Sequence, residues 1–178
     1  LYINDQLRMR EYQNELPYWN FAKKHLFCYT PHHQKGGVAA SNLKYHGQRH
    51  WVASKAKEQG ARETILVRNK YITEGAASNV FVCADDKILT PPKSNHVLSG
   101  ITRDLLIEIL LNNNLPLIET SIDENTLISA SEIWITSSTW EVVPVVELDG
   151  KFVGSGRPGP LWQQANQLYQ EFKDTYCN

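Results

Sequence analysis

Three short segments of this 178-residue chain carry residue types and spacings that can do chemistry. In HVLSGITRDLLIEIL (96–110), Gly100 and Thr102 stand directly ahead of an amphipathic run. Backbone N–H groups at such a helix start have no intrahelical partner and sit at the positive end of the helix dipole, so the segment is a ready anion site. Taken alone, Ser99 or Thr102 would serve only as an N-cap. TSST (136–139) places Thr136, Ser137, Ser138 and Thr139 at the end of a strand-like run, a second corner suited to phosphate oxygens. In TEGAASN (73–79), small residues let backbone and ligand approach closely, and Glu74 is the only acid. Alone this is a tight turn with a solvated Glu. Beside two phosphate-holding loops, an inward Glu74 can pair with a protonated ring nitrogen of a heteroaromatic cofactor and so stabilise charge delocalised into the ring.

TEGAASNVF, LSGITRD and TSSTWEVVPV, in this order, resemble the fold-type IV pyridoxal-phosphate enzymes, the class IV aminotransferases, and most closely the D-amino acid (D-alanine) aminotransferases. LDGKFVGSGRPGPLW is similar to the C-terminal end of bacterial members, and the resemblance runs over residues 60–172. It implies pyridoxal 5′-phosphate as cofactor, with Glu74 at the pyridine nitrogen and Leu98 packed on the ring. Gly100, Ile101, Thr102 and Ser138, with Ser137 and Thr139, would hold the phosphate, and Asn79 and Ser78 would support the site. It also implies a lysine whose amine forms the Schiff base and carries the proton between Cα and the cofactor. Lys44, in SNLKYHG, stands in that place, and Lys55 is the alternative. Nearer the front, Tyr12 and Asn14 fall where the family has the Arg and His that meet the substrate carboxylate. Arg10 or Arg8 is left as the bidentate carboxylate partner.

The implied reaction is transfer of an amino group between an amino acid, such as D-alanine, and a 2-oxo acid, by a homodimer. Branched-chain aminotransferase and aminodeoxychorismate lyase are rivals within the same fold, and TSSTWEVVPV leans toward a transaminase. The rival of another class is a catalytically silent relative serving as an interaction module. The stretch between Thr30 and Lys44 is shorter than in the family by about a strand, and the 178 residues read as beginning after the point where the family has its small N-terminal domain. With no Met at its start, the chain reads as the end of a longer polypeptide or as a reduced relative.

These segments need elements to hold them. TILVR (64–68), NVFVC (79–83), KILT (87–90), PLIET (116–120), EIWIT (132–136) and VVPVVEL (142–148) read as strands, rich in β-branched and aromatic residues. Asp85-Asp86 and Asp149-Gly150 supply turns. Helices are predicted over 102–113, 123–130 and 160–174, the first from the stripe Leu105, Leu106, Ile109, Leu110. WVASKAKEQ (51–59) is helix-compatible, and LFCYT (26–30) is the one clear apolar run of the polar front segment. Many short strands without strict βαβ alternation predict an α+β fold with a mixed or largely antiparallel sheet and packed helices. Residues 1–59 read as a truncated segment leading through the lysine region, and 60–178 as the large cofactor-binding domain.

Composition narrows the function classes. With 18 Lys+Arg against 19 Asp+Glu, net charge is −1, and there is no basic block for nucleic acid. No apolar stretch approaches the roughly 20 residues of a membrane span. Cys28, Cys83 and Cys177 form no CxxC pair, which points to a reducing cytoplasm without disulfide or zinc framework. The adjacent His32 and His33 cannot face one metal as an i, i+4 pair does, and His25, His46, His50 and His96 show no ligand spacing, so no metal is expected. No GxSxG, HExxH or P-loop pattern appears. Trp51, Trp134, Trp140 and Trp162 read as core or interface residues, with Trp140, beside the TSST loop, also a candidate for the substrate pocket.

Overall fold

The computed structural model describes residues 61–176. The expected strand at 26–30, the helix at 51–59 and the division at 59/60 lie outside them. Nine strands and three helices follow in the order β1 (Ile65–Arg68), β2 (Tyr71–Gly75), β3 (Asn79–Ala84), β4 (Lys87–Thr90), α1 (Ile101–Asn112), β5 (Leu117–Glu119), α2 (Glu124–Ile128), β6 (Glu132–Ser137), β7 (Glu141–Val145), β8 (Glu147–Leu148), β9 (Lys151–Phe152) and α3 (Pro160–Tyr176). A five-stranded sheet runs β5-β4-β3-β6-β7, antiparallel throughout except for the parallel pair β4–β5, which α1 connects. The fold is α+β, as the sequence predicts.

The sheet divides two cores, which explains why its central strands read as unbroken apolar runs rather than alternating ones. Phe81, Cys83, Ile88, Trp134 and Val142 face one side and pack with Leu106 and Leu110 of α1 and Trp162, Ala165 and Tyr169 of α3. Val80, Val82, Ile133, Ile135, Val143 and Val145 face the other, against Ile65, Val67 and Ile72 of the β1–β2 hairpin and Leu127 of α2. Register keeps these layers in step: Phe81 pairs with Trp134 and Trp134 with Pro144, while Val80 pairs with Ile135 and Ile135 with Val143. A one-residue slip would exchange the two sets. The Phe81 and Trp134 rings stack with centroids 6.0 Å apart.

Three hairpins close through two-residue turns in which both residues have positive φ: Asn69-Lys70, Asp85-Asp86 and Asp149-Gly150. This left-handed geometry matches the twist of the flanking strands. The first turn and β2 depart from the sequence expectation, which reads a turn within 73–79. Asn69-Lys70 lacks the usual glycine, and the strand it opens, Tyr71–Gly75, starts with three good strand formers but ends in Glu74-Gly75, which antiparallel pairing with β1 and burial keep extended. The expected strand 142–148 breaks at Val146 into β7 and β8. The expected helix 123–130 contracts to Glu124–Ile128, started by the Asp123 carboxylate accepting the Thr126 N–H at 2.8 Å.

Helix α3 begins at Pro160, where the missing N–H costs nothing. Its next two N–H groups donate to the buried Glu132 carboxylate of β6, Leu161 to Oε1 at 3.0 Å and Trp162 to Oε2 at 2.7 Å. Glu132→Ala is expected to destabilise the fold by about 2 kcal/mol, since two donors and a packed helix end lose their acceptor, with Glu132→Gln intermediate. Urea unfolding measures this, and an unchanged midpoint would refute the cap. Burial, and secondarily the Glu132 charge, pushes the Cys83 thiol up. Alkylation of Cys83 is therefore expected only after denaturant is added, as peptide mapping reads; labelling in the native state would show that the core is open.

Candidate functional site

The three segments singled out in the sequence meet at one cavity of about 360 Å³, lined by Glu63, Glu74, 76–79, Leu98, 100–102 and 136–138. That volume lies within the range of small-molecule sites, about 300–1,000 Å³. Glu74 on β2 is 1% exposed, and a carboxyl group so deep requires hydrogen-bond partners. One is the backbone N–H of Leu98, which donates to Glu74 Oε2 at 2.9 Å. The carbonyl of the same Leu98 accepts from Asn79 Nδ2 at 2.7 Å. The strap ahead of α1 is thus pinned through one residue to two strands at once. Asn79 in turn pairs with Thr136 across the β3–β6 ladder, which brings the third segment alongside.

Glycine is required where this strap enters α1. A Cβ at Gly100 would strike Asn79 Oδ1, so the close approach, not an unusual φ, demands the missing side chain. Gly100 is also the N-cap, and no side chain caps the helix. Ser99 instead donates to Asp104 Oδ2 at 2.6 Å, and Thr102 is buried at the cavity wall. The capping role open to Ser99 or Thr102 is therefore not taken by either. The positive end of α1 is left facing the cavity with Ile101 and Thr102.

The opposing corner is the β6–β7 loop. Ser137 and Ser138 line the cavity. Thr139 does not: its hydroxyl lies 3.4 Å from Ser137 Oγ, which also accepts the Trp140 N–H at 3.1 Å. Trp140 packs against the core that contains the β1–β2 hairpin rather than lining the cavity, and Trp134 and Trp162 are core residues. Leu98 and Ile101 stand at the cavity with their side chains exposed, 68% and 85%. Lys44, Lys55, Arg8 and Arg10 lie outside the described residues. Among those described, no group of His, Cys, Asp and Glu is placed to hold a metal, and no helix is long and apolar enough to cross a membrane.

Glu63 and Arg103 escaped sequence reasoning, while Ser78 and Thr136, which it marked, gain a more specific place. Glu63 is buried, and its Oε1 accepts the Ala77 N–H at 2.6 Å, tying the segment before β1 to the turn after Glu74. Ser78 Oγ and Thr136 Oγ1, both within segments the sequence marks, are buried hydroxyl oxygens on the cavity wall with no hydrogen-bond partner among the described residues. Arg103, fully buried, donates to the Pro91 carbonyl at 2.8 Å, to Glu119 at 2.6 Å and to Asp104 at 2.9 Å, binding the first turn of α1 to the end of β5. No spacing rule marks an arginine as buried; only its place in SGITRD sets it apart. Burial works against the Asp104 carboxylate, but hydrogen bonds from Ser99, Lys93 and Arg103 outweigh it and hold the group below the usual carboxylate range. Its contribution is thus in place at neutral pH and is lost only as pH falls through that lowered value.

With this geometry in view, residues 7–148 match the amino-transferase class IV family model, and the chain belongs to that family. It is 40% identical over 133 residues to the D-alanine aminotransferase of Bacillus licheniformis, covering 75% of this chain and 46% of that protein. To the D-alanine aminotransferase of Staphylococcus haemolyticus it is 36% identical over 117 residues, 66% of this chain and 42% of the relative. In structure it is similar to the branched-chain amino acid aminotransferase from Escherichia coli, with a TM-score of 0.68 and 30% identity over 77% of this chain and 50% of that one. An aminotransferase from Brucella abortus bound to the co-factor PLP matches with a TM-score of 0.66 and 26% identity, over 71% of this chain and 45% of that one. The chain spans somewhat under half the length of these curated relatives.

Gly100→Ala is expected to destabilise the protein by about 1–3 kcal/mol through the clash with Asn79. In the double variant Gly100→Ala/Asn79→Ala, part of that loss should return, because the second change removes the obstructing amide. A cycle of urea midpoints decides it, and strictly additive losses would mean the two do not meet.

Proposed function

We propose that this chain is the cofactor-binding part of a pyridoxal-phosphate-dependent aminotransferase acting on an amino acid, D-alanine foremost, and a 2-oxo acid. The observation that carries the reading is the meeting of Glu74, the uncapped start of α1 and the Ser137-Ser138 corner at one cavity. The residues present suit the group: the buried hydroxyls of Ser78 and Thr136 have hydrogen-bonding capacity to offer a polar ligand, and a helix N-terminus suits an anion. Bound there, pyridoxal phosphate supplies an electron sink for charge developing at the substrate Cα.

The chain's own residues do the rest. Glu74 holds a proton at the ring nitrogen through its buried carboxylate, which Leu98 N–H keeps in place. The N–H groups of Ile101 and Thr102, the Thr102 hydroxyl and those of Ser137 and Ser138 bind the phosphate, with Thr139 supporting Ser137. Gly100 permits the approach, and Asn79 orients the strap that carries Leu98 to the ring face. Lys44 Nζ anchors the cofactor and moves the proton at the substrate Cα, and Arg10 takes the substrate carboxylate. The D-alanine aminotransferases among the relatives support the substrate class, and family resemblance supports a cytoplasmic homodimer. Likeness in fold to branched-chain aminotransferases keeps a branched-chain substrate as the second reading.

The test is absorption and turnover of the full chain with added pyridoxal phosphate. Near-visible absorption of lysine-bound cofactor, fixed by borohydride and abolished in Lys44→Ala, supports the proposal; a colourless protein indifferent to the cofactor overturns it. Glu74→Gln should keep the cofactor while slowing transamination at least about a hundredfold, and unchanged turnover would remove Glu74 from the mechanism. Thr102→Val and Ser138→Ala should each weaken cofactor retention roughly tenfold, and equal affinity in both would place the phosphate elsewhere. Comparing D-alanine with branched-chain amino acids as donors separates the two substrate readings.

A further inference from the structure

Glu141 occupies an uncommon position. It is the first residue of β7, pairs across the ladder with Ser137, and has φ of +60°, where a side chain is disfavoured and glycine is the ordinary choice. Between the two partners lie only 138–140, of which Ser138 lines the cavity. A short hairpin loop ending in a left-handed residue fixes the direction in which the loop projects. Keeping a glutamate there carries a conformational cost that a glycine would not, so the side chain must have a compensating use.

Its carboxylate is held by the C-terminal helix. Lys173 Nζ donates to Oε1 in an ion pair, and Gln170 Nε2 donates to Oε2 at 3.0 Å. Gln170 and Lys173 are three residues apart and therefore share one face of α3. Both side chains of the ion pair are about two-thirds covered, 31% and 30% exposed, which sets the contact apart from a solvated surface pair. Helix α3 is itself anchored at its other end by Glu132 of β6, the strand that leads into the same loop. The helix that holds the Glu141 carboxylate is thus itself fixed to the far end of β6.

We infer that Glu141 is a positioning residue. By coupling a left-handed backbone to the Gln170–Lys173 face of α3, it aims Ser137 and Ser138 at the cavity and holds them there before any ligand arrives. The link to ligand binding rests on the function proposed above; the preorganisation of the loop does not. A purely structural ion pair would lower stability when broken and leave the loop's local order and the ligand affinity in proportion. A positioning residue separates the two.

The experiment uses the full chain with Glu141→Gly, Glu141→Gln, Gln170→Ala and Lys173→Met. Amide hydrogen exchange at 137–141 is measured without ligand, and pyridoxal phosphate affinity and thermal midpoint are measured in parallel. Glu141→Gly removes the brace while relieving the left-handed strain, so its midpoint should change little. Its loop amides should nevertheless exchange about tenfold faster or more, and affinity should fall by a similar factor. Lys173→Met, which leaves the backbone untouched, should loosen the same amides, while Glu141→Gln, able to keep both hydrogen bonds in part, should lie between. Loop exchange at the unmodified rate in both Glu141→Gly and Lys173→Met overturns the inference. Failure of the unmodified protein to bind pyridoxal phosphate overturns the functional reading instead, with the exchange rates still deciding the brace. Faster exchange with unaltered affinity refutes the role of the brace in ligand binding.

Discussion

A single backbone residue holds the site together. Glu74 is buried in the sheet's flank, and its carboxylate is stable there only with hydrogen-bond donors. Leu98 provides one from its N–H and gives its carbonyl to Asn79, so the strap before α1 cannot move without breaking hydrogen bonds to buried side chains of both β2 and β3. That constraint propagates outward. Asn79 leaves no room for a Cβ at Gly100, and Gly100 starts a helix without a side-chain cap.

The frame around this clamp is built to be rigid. A sheet buried on both faces, with apolar layers kept in register by its pairing, gives the strands that carry Asn79 and Thr136 little freedom, and the β1–β2 hairpin that carries Glu74 packs on one of those faces. Arg103 secures the other side of the strap, tying Pro91 and the first turn of α1 to Glu119. Its buried guanidinium is tolerable because carbonyl and carboxylate oxygens meet it. The two carboxylates of β6 and β7, Glu132 and Glu141, reach α3 from the far side, so the hydroxyl corner is set by the same layers that form the core. Such rigidity suits a binding site, where groups that do not rearrange hold a ligand without a reorganisation cost.

Much of the architecture was legible along the chain. The strand runs at 79–83, 87–90 and 132–136 and the helices at 102–113 and 160–174 appear within a residue or two, because their apolar patterns are strong and their ends are marked by Asp-Asp, the Asn cluster and Pro160. Strand β2 was hidden because its strand-forming run Tyr71-Ile72-Thr73 is only three residues long and passes into Glu74-Gly75, which disfavour strands, so its extension rests on pairing with β1 and on burial. The break at Val146 and the shortened α2 likewise depend on what neighbours allow.

The sequence by itself determined the ingredients of the site: a lone acid among small residues, a glycine ahead of an amphipathic helix, and a run of hydroxyls after a strand. Those are local properties, readable from residue type and spacing. Tertiary structure alone decided which hydroxyls face the cavity, that Thr139 and Trp140 turn away, that Glu63 joins the wall, and that Arg103 and Glu141 brace it. The reason is physical: a hydrogen bond between residues tens of positions apart depends on register, burial and backbone direction, none of which is a property of either residue alone.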